Sequence, residues 1–217
     1  MIPQGLFLFI CTAFVGESLL QGAPAIQIFD GKTLNGWTKE NGSSPDTGWI
    51  VEDRCMVLVK RSGSLYSKAS FKDFDFSFEW KIEDGCNSGV KYRYTDYSGA
   101  SIGPEYQLLD DAKRNYSPGA KGSAASIYAI KGPSATKKLA PIGEFNKSRI
   151  IAKGNNLEHW LNGQKVVEIK IGSMEWMQLH AASKFKKSPD FGTRKGRIML
   201  QDHGGKVWFR NLKIQEL

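Results

Sequence analysis

The sequence predicts an all-β fold, either a β-sandwich or a jelly roll. Many short runs with strand-like alternation, turn residues between those runs and a single short helical window point to this class. A chain of 217 residues is long enough to bury a substantial core as one domain. We expect that domain to span residues 26–217, with an export signal in residues 1–25.

The clearest strand lies at residues 73–80. Phe74, Phe76, Phe78 and Trp80 alternate there with polar residues, which is the period of a half-buried strand whose aromatic side faces the core. Similar runs predict further strands at residues 49–51, 56–59, 90–95, 106–109, 126–130, 149–152, 197–201 and 207–214.

One hairpin and one helix complete the predicted elements. Asn162-Gly163 tolerates the positive φ values of a type I′ turn, so residues 157–167 are expected to form a tight hairpin. Residues 175–184 form the only helical window, and it is short. No repeat or linker divides the chain.

The amino terminus has the pattern of an export signal. An uncharged apolar run at residues 6–15 is followed by Ala23-Pro24-Ala25, a small-residue pattern suited to a signal peptidase, although no Lys or Arg precedes the run. A buried amino-terminal strand is the alternative. The run is too short for a membrane span, so we expect a secreted or periplasmic protein without one.

Charge and cysteine content restrict the function classes. The net charge is +8, and residues 131–217 carry 17 basic but only 7 acidic side chains. The lysines are scattered and no nucleic-acid-binding motif is present, so we expect a solvated surface and no nucleic-acid partner. Cys55 and Cys86 could form one disulfide in an exported protein, but their spacing suits no zinc site.

Polar residues on three predicted strands form the candidate site. Alternation places the members of each of three pairs on one face of their strand: Glu105 and Gln107, Lys91 and Arg93, Gln201 and His203. If these faces coincide, an acid, a base, cations and amides line one surface, which suits the hydroxyl groups of a sugar. Taken singly, each of these residues is also compatible with a solvated strand or turn.

No residue is predicted to be a metal ligand. Asp110 and Asp111 follow the Glu105 strand and could hold a hard cation, but adjacent carboxylates on a strand point to opposite faces. We therefore expect no cofactor, with a divalent cation kept as the alternative.

An ordered series of short motifs resembles one known family. The motifs are FDGKTLNGW at residues 29–37, NSGVKYR at 87–93, EYQ at 105–107, HWLNG at 159–163, SKF at 183–185 and GRIMLQDHG with FRN between residues 196 and 211. Together they resemble the 3-keto-disaccharide hydrolase domain family from residue 26 to the carboxyl end. Cys86 departs from the family pattern, which would have a small residue there.

The resemblance implies a concanavalin-like jelly-roll β-sandwich of two antiparallel sheets, exported by bacteria and acting on oxidised glycosides. A ketone at sugar carbon C3 acidifies the hydrogen on C2. A base can remove that hydrogen, the group on C1 then leaves by β-elimination, and water adds back to complete net hydrolysis. No E-x-D-x-x-E nucleophile motif of the related endoglucanases is present, which disfavours ordinary retaining hydrolysis by two carboxylates.

This elimination chemistry gives each candidate residue an expected role. Glu105 and His203 are expected to act as base and acid, in either order, while Arg93 and Lys184 hold the developing enolate. The remaining candidates are expected to bind substrate: Lys91, Gln107, Gln201 and the aromatic residues Tyr128 and Trp160.

Three other functions stay open at this stage. A non-catalytic glycan-binding module would use Tyr128 or Trp160 for stacking and would not need Glu105 together with His203. An ordinary endoglycosidase would cleave unoxidised glucan. The basic carboxyl-terminal half would suit adhesion to anionic polysaccharide, with binding that weakens steeply with salt.

Overall fold

In the computed structural model, residues 24–45 and 48–217 are described, and they form a sandwich of two antiparallel sheets. The predicted export signal lies almost entirely outside these residues. The larger sheet has eight strands: β1 (Ile26–Gln27), β3 (Trp49–Glu52), β4 (Cys55–Leu58), β6 (Phe74–Ile82), β10 (Asn146–Lys153), β11 (Asn156–Leu161), β12 (Gln164–Lys170) and β14 (Val207–Glu216). Their order in the sheet is β12-β11-β10-β6-β14-β4-β3, with β1 beside β14.

The second sheet has six strands. The strands are β2 (Trp37–Thr38), β5 (Leu65–Phe71), β7 (Asn87–Tyr97), β8 (Ala100–Ile102), β9 (Glu105–Leu109) and β13 (Gly196–Leu200). Their order in the sheet is β2-β5-β13-β7-β8, with β9 also paired to β7. One helix, α1 (Met174–Ala181), follows β12, and the hydroxyl of Ser173 caps it by accepting from the Trp176 backbone N–H.

The core between the sheets follows from strand alternation. Phe74, Phe76, Phe78 and Trp80 on β6 are all buried, as the 73–80 pattern predicted. The inward positions of the smaller sheet, such as Val90, Tyr106 and Leu108, pack on the same core. The polar positions of β7, β9 and β13 therefore face away from the core, on what we call the outer face of the six-stranded sheet.

The hairpin and helix predictions are confirmed. Asn162 and Gly163 both have positive φ, 48° and 85°, between β11 and β12. The helix occupies Met174–Ala181, slightly earlier than predicted. Within the described residues, no helix is long and apolar enough to span a membrane.

One strand prediction is wrong. Residues 126–130 form turns instead of a strand, with only isolated bridges at Ile127, because Ala125 and Ala129 take positive φ values of 67° and 63°. Strands β1, β2, β5 and β8 were not predicted. The thiols of Cys55 and Cys86 are both free and buried, so the disulfide allowed by the sequence does not form.

Candidate active site

Three elements of the six-stranded sheet bring most of the predicted residues to one depression of about 140 Å³. We call it the Glu105 pocket. Strands β7 and β9 form its floor, the turn after β13 forms one wall, and residues 128 and 184 form the other. The lining residues are Asn87, Lys91, Glu105, Gln107, Tyr128, Lys184, Gln201 and His203.

The Glu105 carboxylate is the buried centre of this pocket. Its residue is 5% exposed, and Lys91, its partner in register on β7, places Nζ 3.8 Å from Oε2. Burial raises the pKa of Glu105, while the ammonium groups of Lys91 and Lys184 lower it in part. A carboxylate with a raised pKa in a recess is suited to proton transfer near neutral pH.

Close packing fixes the position of that carboxylate. A Cβ atom at Gly89 would lie 2.4 Å from Glu105 Oε1, so only glycine leaves the carboxylate its space. Gln107 also touches it: in the amide orientation that satisfies both of its polar atoms, the nitrogen donates to Glu105 Oε1 at 3.1 Å and to the Ser88 carbonyl at 3.2 Å.

Lys184 and Tyr128 form a cationic and aromatic wall. The Lys184 Nζ lies 4.5 Å from the Tyr128 ring centroid. Burial lowers the pKa of Lys184, and Lys91 adds to that effect while Glu105 opposes it. The backbone N–H of Tyr128 donates to the Glu105 carbonyl at 3.0 Å, which ties this wall to the floor.

Gln201 and His203 reach the pocket from the turn after β13. The Gln201 backbone N–H donates to the Gly89 carbonyl at 2.8 Å, and the Ser88 hydroxyl donates back to the Gln201 carbonyl at 2.8 Å. Among the described residues, the buried Gln201 Oε1 has no hydrogen-bond donor. The exposed His203 lines the same pocket as Glu105, so the carboxylate and the imidazole border one depression.

Arg93 does not join the pocket, and its predicted face was wrong. Tyr94 and Lys91 pair with Arg197 and Met199, so β7 carries an extra residue at this point, and Arg93 takes a φ of 48°. The bulge turns its side chain into the protein, where it is fully buried. The guanidinium there donates to the carbonyls of Lys72, Gly192 and Gly154 and pairs with Asp73.

Trp160 lies in the other sheet. It stands on β11, where its indole Nε1 donates to Glu158 Oε2 at 2.7 Å and Arg149 and Lys165 lie near its ring. It is therefore not one of the residues that line the Glu105 pocket.

The Asp110 and Asp111 carboxylates are engaged by protein groups. Asp110 accepts from the backbone N–H of Gly85 at 2.9 Å. Asp111 pairs with the buried Lys137 Nζ at 2.7 Å and accepts from the Ala124 N–H. These contacts hold the loop after β9 against the sandwich.

Comparison with known proteins decides the family. The model of a family described as a 3-keto-alpha-glucoside-1,2-lyase-like domain matches residues 24–215. The chain belongs to this family. It is also 31% identical over 230 residues to a 3-keto-disaccharide hydrolase of Bacteroides thetaiotaomicron, an alignment that covers 88% of this chain and 78% of that protein.

Solved structures agree with this assignment. A crystal structure from Parabacteroides distasonis, of a protein proposed to be a glycosyl hydrolase, has 34% identity and a TM-score of 0.77, covering 89% of this chain and 94% of that one. The catalytic domain of a Thermotoga petrophila laminarinase shares the jelly-roll fold at 12% identity, with a TM-score of 0.55, 90% of this chain and 97% of that one covered. Family membership and the 31% identity to a named hydrolase over most of the chain show that this protein is a hydrolase.

Asn87 is the lining residue that the sequence interpretation missed. It begins β7 two positions before Gly89 and four before Lys91, and so shares their face. Extending the Lys91 alternation backwards by two steps would have included it.

Proposed function

We propose that this member of the 3-keto-alpha-glucoside-1,2-lyase-like family cleaves 3-keto-glycosides by removing the C2 proton and eliminating the group on C1. One observation carries the proposal: Glu105 is the only carboxylate among the described residues that line the pocket, and two lysines flank it. Two-carboxylate glycoside hydrolysis needs a second acid within about 5–10 Å across the sugar. A single base beside cations fits enolate formation better.

Glu105 acts as the base in this scheme. Burial raises its pKa and so its affinity for the C2 proton, while the ammonium groups of Lys91 and Lys184 favour its ionised form. The electron pair of the C2–H bond moves onto the C3 oxygen as an enolate. The ammonium groups of Lys91 and Lys184 take the stabilising role that the sequence had given partly to Arg93.

His203 is assigned to the leaving oxygen. When the enolate reforms the ketone, the C1–O bond breaks, and the departing oxygen takes a proton from the imidazole. Water then adds across the C1–C2 double bond: its hydroxyl bonds to C1, its proton returns to His203, and Glu105 gives its proton back to C2, which completes net hydrolysis. The unpaired Gln201 Oε1 and the amides of Gln107 and Asn87 are placed to bind sugar hydroxyls.

A paired-substrate assay tests this function. The purified protein is incubated with a 3-keto-glucoside and, separately, with its unoxidised parent glucoside, and aglycone release is followed. We expect release from the 3-keto compound alone. Release from the unoxidised parent at a comparable rate would support an ordinary glycosidase and contradict the proposal.

We also propose export from the cytoplasm. The apolar run and the small-residue pattern in residues 1–25 support it. Amino-terminal sequencing of the protein recovered from outside the cytoplasm should begin near residues 23–26. Recovery of the uncleaved chain from the cytoplasm alone would contradict it.

A further inference from the structure

A row of side chains leads from the Glu105 pocket across the outer face of the six-stranded sheet. Glu105 pairs in register with Lys91, Lys91 with Met199, and Met199 with Tyr66. Paired positions on neighbouring antiparallel strands place side chains on one face about 5 Å apart. The pocket floor therefore continues through Met199 to Tyr66 on β5.

A second depression of about 350 Å³ lies at the far end of this row. Tyr66 and Glu40 line it together with residues 62–64. The Asp202 carboxylate accepts from the backbone N–H groups of Ser62 and Gly63 at 2.6 and 2.7 Å. Because Asp202 lies between two residues of the Glu105 pocket, Gln201 and His203, these bonds tie the lining of the second depression to the turn beside that pocket.

Aromatic packing fixes the surface between them. Tyr66 and Tyr94 have ring centroids 5.2 Å apart and form, with Met199, a cluster separate from the main core. The Tyr94 hydroxyl donates to Glu40 Oε1 at 3.1 Å. The Arg197 guanidinium lies 4.6 Å from the Tyr66 ring centroid, so a cation–π contact holds it over the ring.

Arg197 is a cation without a polar partner. Within residues 24–45 and 48–217, its guanidinium makes no hydrogen bond or ion pair, although the side chain is partly buried. The arginines on the opposite sheet differ, because Arg149 pairs with Asp75 and Arg210 with Glu79. An oriented guanidinium with unused N–H donors is a ready site for a ligand with vicinal acceptors.

The neighbouring carboxylate selects the kind of ligand. Burial raises the pKa of Tyr66; the Glu40 carboxylate adds to that effect and the Arg197 guanidinium opposes it, so both charges lie near the same ring. Because Glu40 lies next to this tyrosine pair, its carboxylate disfavours an anionic group such as a uronate. A neutral sugar fits, because its hydroxyls can accept from Arg197 and donate to Glu40.

We propose that Arg197, Glu40 and Tyr66 form a second subsite, which binds the neighbouring neutral hexose of the substrate while the 3-keto sugar occupies the Glu105 pocket. This inference rests on the proposed function. It makes the preferred substrate a disaccharide or longer saccharide, with a small-aglycone glucoside reaching only the first subsite.

Substrate comparison tests this subsite. We expect Arg197→Ala to lower kcat/KM for a 3-keto-disaccharide about 10–100-fold, the effect of losing hydrogen bonds to a charged group. The same variant should leave kcat/KM for an aryl 3-keto-glucoside nearly unchanged. Arg197→Lys, which keeps the charge but loses the planar fork, should show an intermediate loss on the disaccharide.

Matched controls keep the outcomes distinct. Arg149→Ala removes an arginine from the opposite sheet and should affect neither substrate. An equal loss on both substrates in Arg197→Ala, or no loss on either, would overturn the subsite while the function stands. If the wild-type protein cleaves neither compound, the proposed function fails. Calorimetric binding of the 3-keto-disaccharide then tests the subsite on its own. Unchanged affinity in Arg197→Ala would overturn the subsite, and weakened affinity would support it.

Discussion

The Glu105 carboxylate fills the space that any side chain at Gly89 would occupy, since a Cβ atom there would lie 2.4 Å from Oε1 and 3.0 Å from the carboxyl carbon. We therefore expect Gly89→Ala to push the carboxylate out of place and to lower kcat/KM for a 3-keto-glucoside by 10-fold or more, the scale of a misplaced catalytic group (about 10²-fold).

Gly119→Ala is the matched control. Its nearest contact would be an ordinary 3.5 Å, to the Pro133 carbonyl, so activity and thermal stability should both stay near wild type. Wild-type activity in Gly89→Ala would show that the position of the carboxylate does not matter.

Glu105→Gln tests the base directly. Removing a general base should lower kcat about 10²–10⁴-fold. Burial raises the pKa of Glu105, so its ionised form is disfavoured in the folded state at neutral pH. The neutral amide should therefore melt at the same or a higher temperature at pH 7, and any such advantage should shrink as the pH falls and Glu105 protonates. Wild-type turnover in a folded Glu105→Gln protein would exclude the role.

Lys91→Met should move the acid limb of the pH profile. The Lys91 ammonium lowers the pKa of Glu105, so removing it lets burial raise that pKa further. Because the base must be ionised, the acid limb of kcat/KM should shift to higher pH. Lys113→Met, which removes an exposed partner of Asp84, should leave the limb in place. A shift to lower pH would show that another group controls this limb.

Arg93→Met should lower the free energy of unfolding and leave substrate binding unchanged. The buried guanidinium serves three backbone carbonyls and Asp73, and its loss leaves them without their donor. Asp73 is partly exposed, but each hydrogen bond from a charged donor contributes about 1.5–3 kcal/mol, so losing them should cost at least about 3 kcal/mol. Urea unfolding should show this loss, while any folded fraction keeps its KM. A stable variant with only its activity reduced would return Arg93 to a role at the substrate.

His159 should give the protein part of its acid sensitivity. The imidazole is fully buried, with Nδ1 3.0 Å from the Ala125 carbonyl and Nε2 3.0 Å from the Tyr92 hydroxyl, and burial lowers its pKa to about 4. Between about pH 6.5 and 4, His159 therefore binds a proton in the unfolded chain but stays neutral in the folded protein. The contribution of His159 to stability should fall across that window as the pH drops.

His159→Gln provides the comparison. Its amide can donate to Ala125 and accept from Tyr92 without titrating. Urea unfolding at pH 7 and pH 4.5 should show a smaller acid-induced loss of stability for the variant than for the wild type. An identical acid-induced loss of stability in both proteins would show that titration of His159 is not its cause.

Strand alternation explains why so much of the site could be predicted. A period of two, once anchored by the buried Tyr106 and Leu108, fixes the opposite direction for Glu105 and Gln107. The same argument holds for Lys91 opposite Val90. The paired register of β7 and β9 then brings the two faces together.

The failures have equally local causes. The bulge on β7 reverses Arg93, and nothing in the residues 90–94 shows an extra position, because a bulge depends on how the partner strand pairs. Trp160 was grouped with the site by its residue type alone, and its sheet could not be known from that. The turns at residues 126–130 contain β-prone residues, and the positive φ values of Ala125 and Ala129 override that preference.

The most direct measurement of the central claim is a competition between a 3-keto-glucoside carrying hydrogen at C2 and the same compound carrying deuterium there. If Glu105 removes the C2 proton during cleavage, the protein should consume the hydrogen form several-fold faster, and the unreacted pool should become enriched in deuterium. Equal consumption of the two forms, with deuterium fully retained at C2 of the released sugar, would mean that the C2–H bond stays intact and would contradict the proposed elimination.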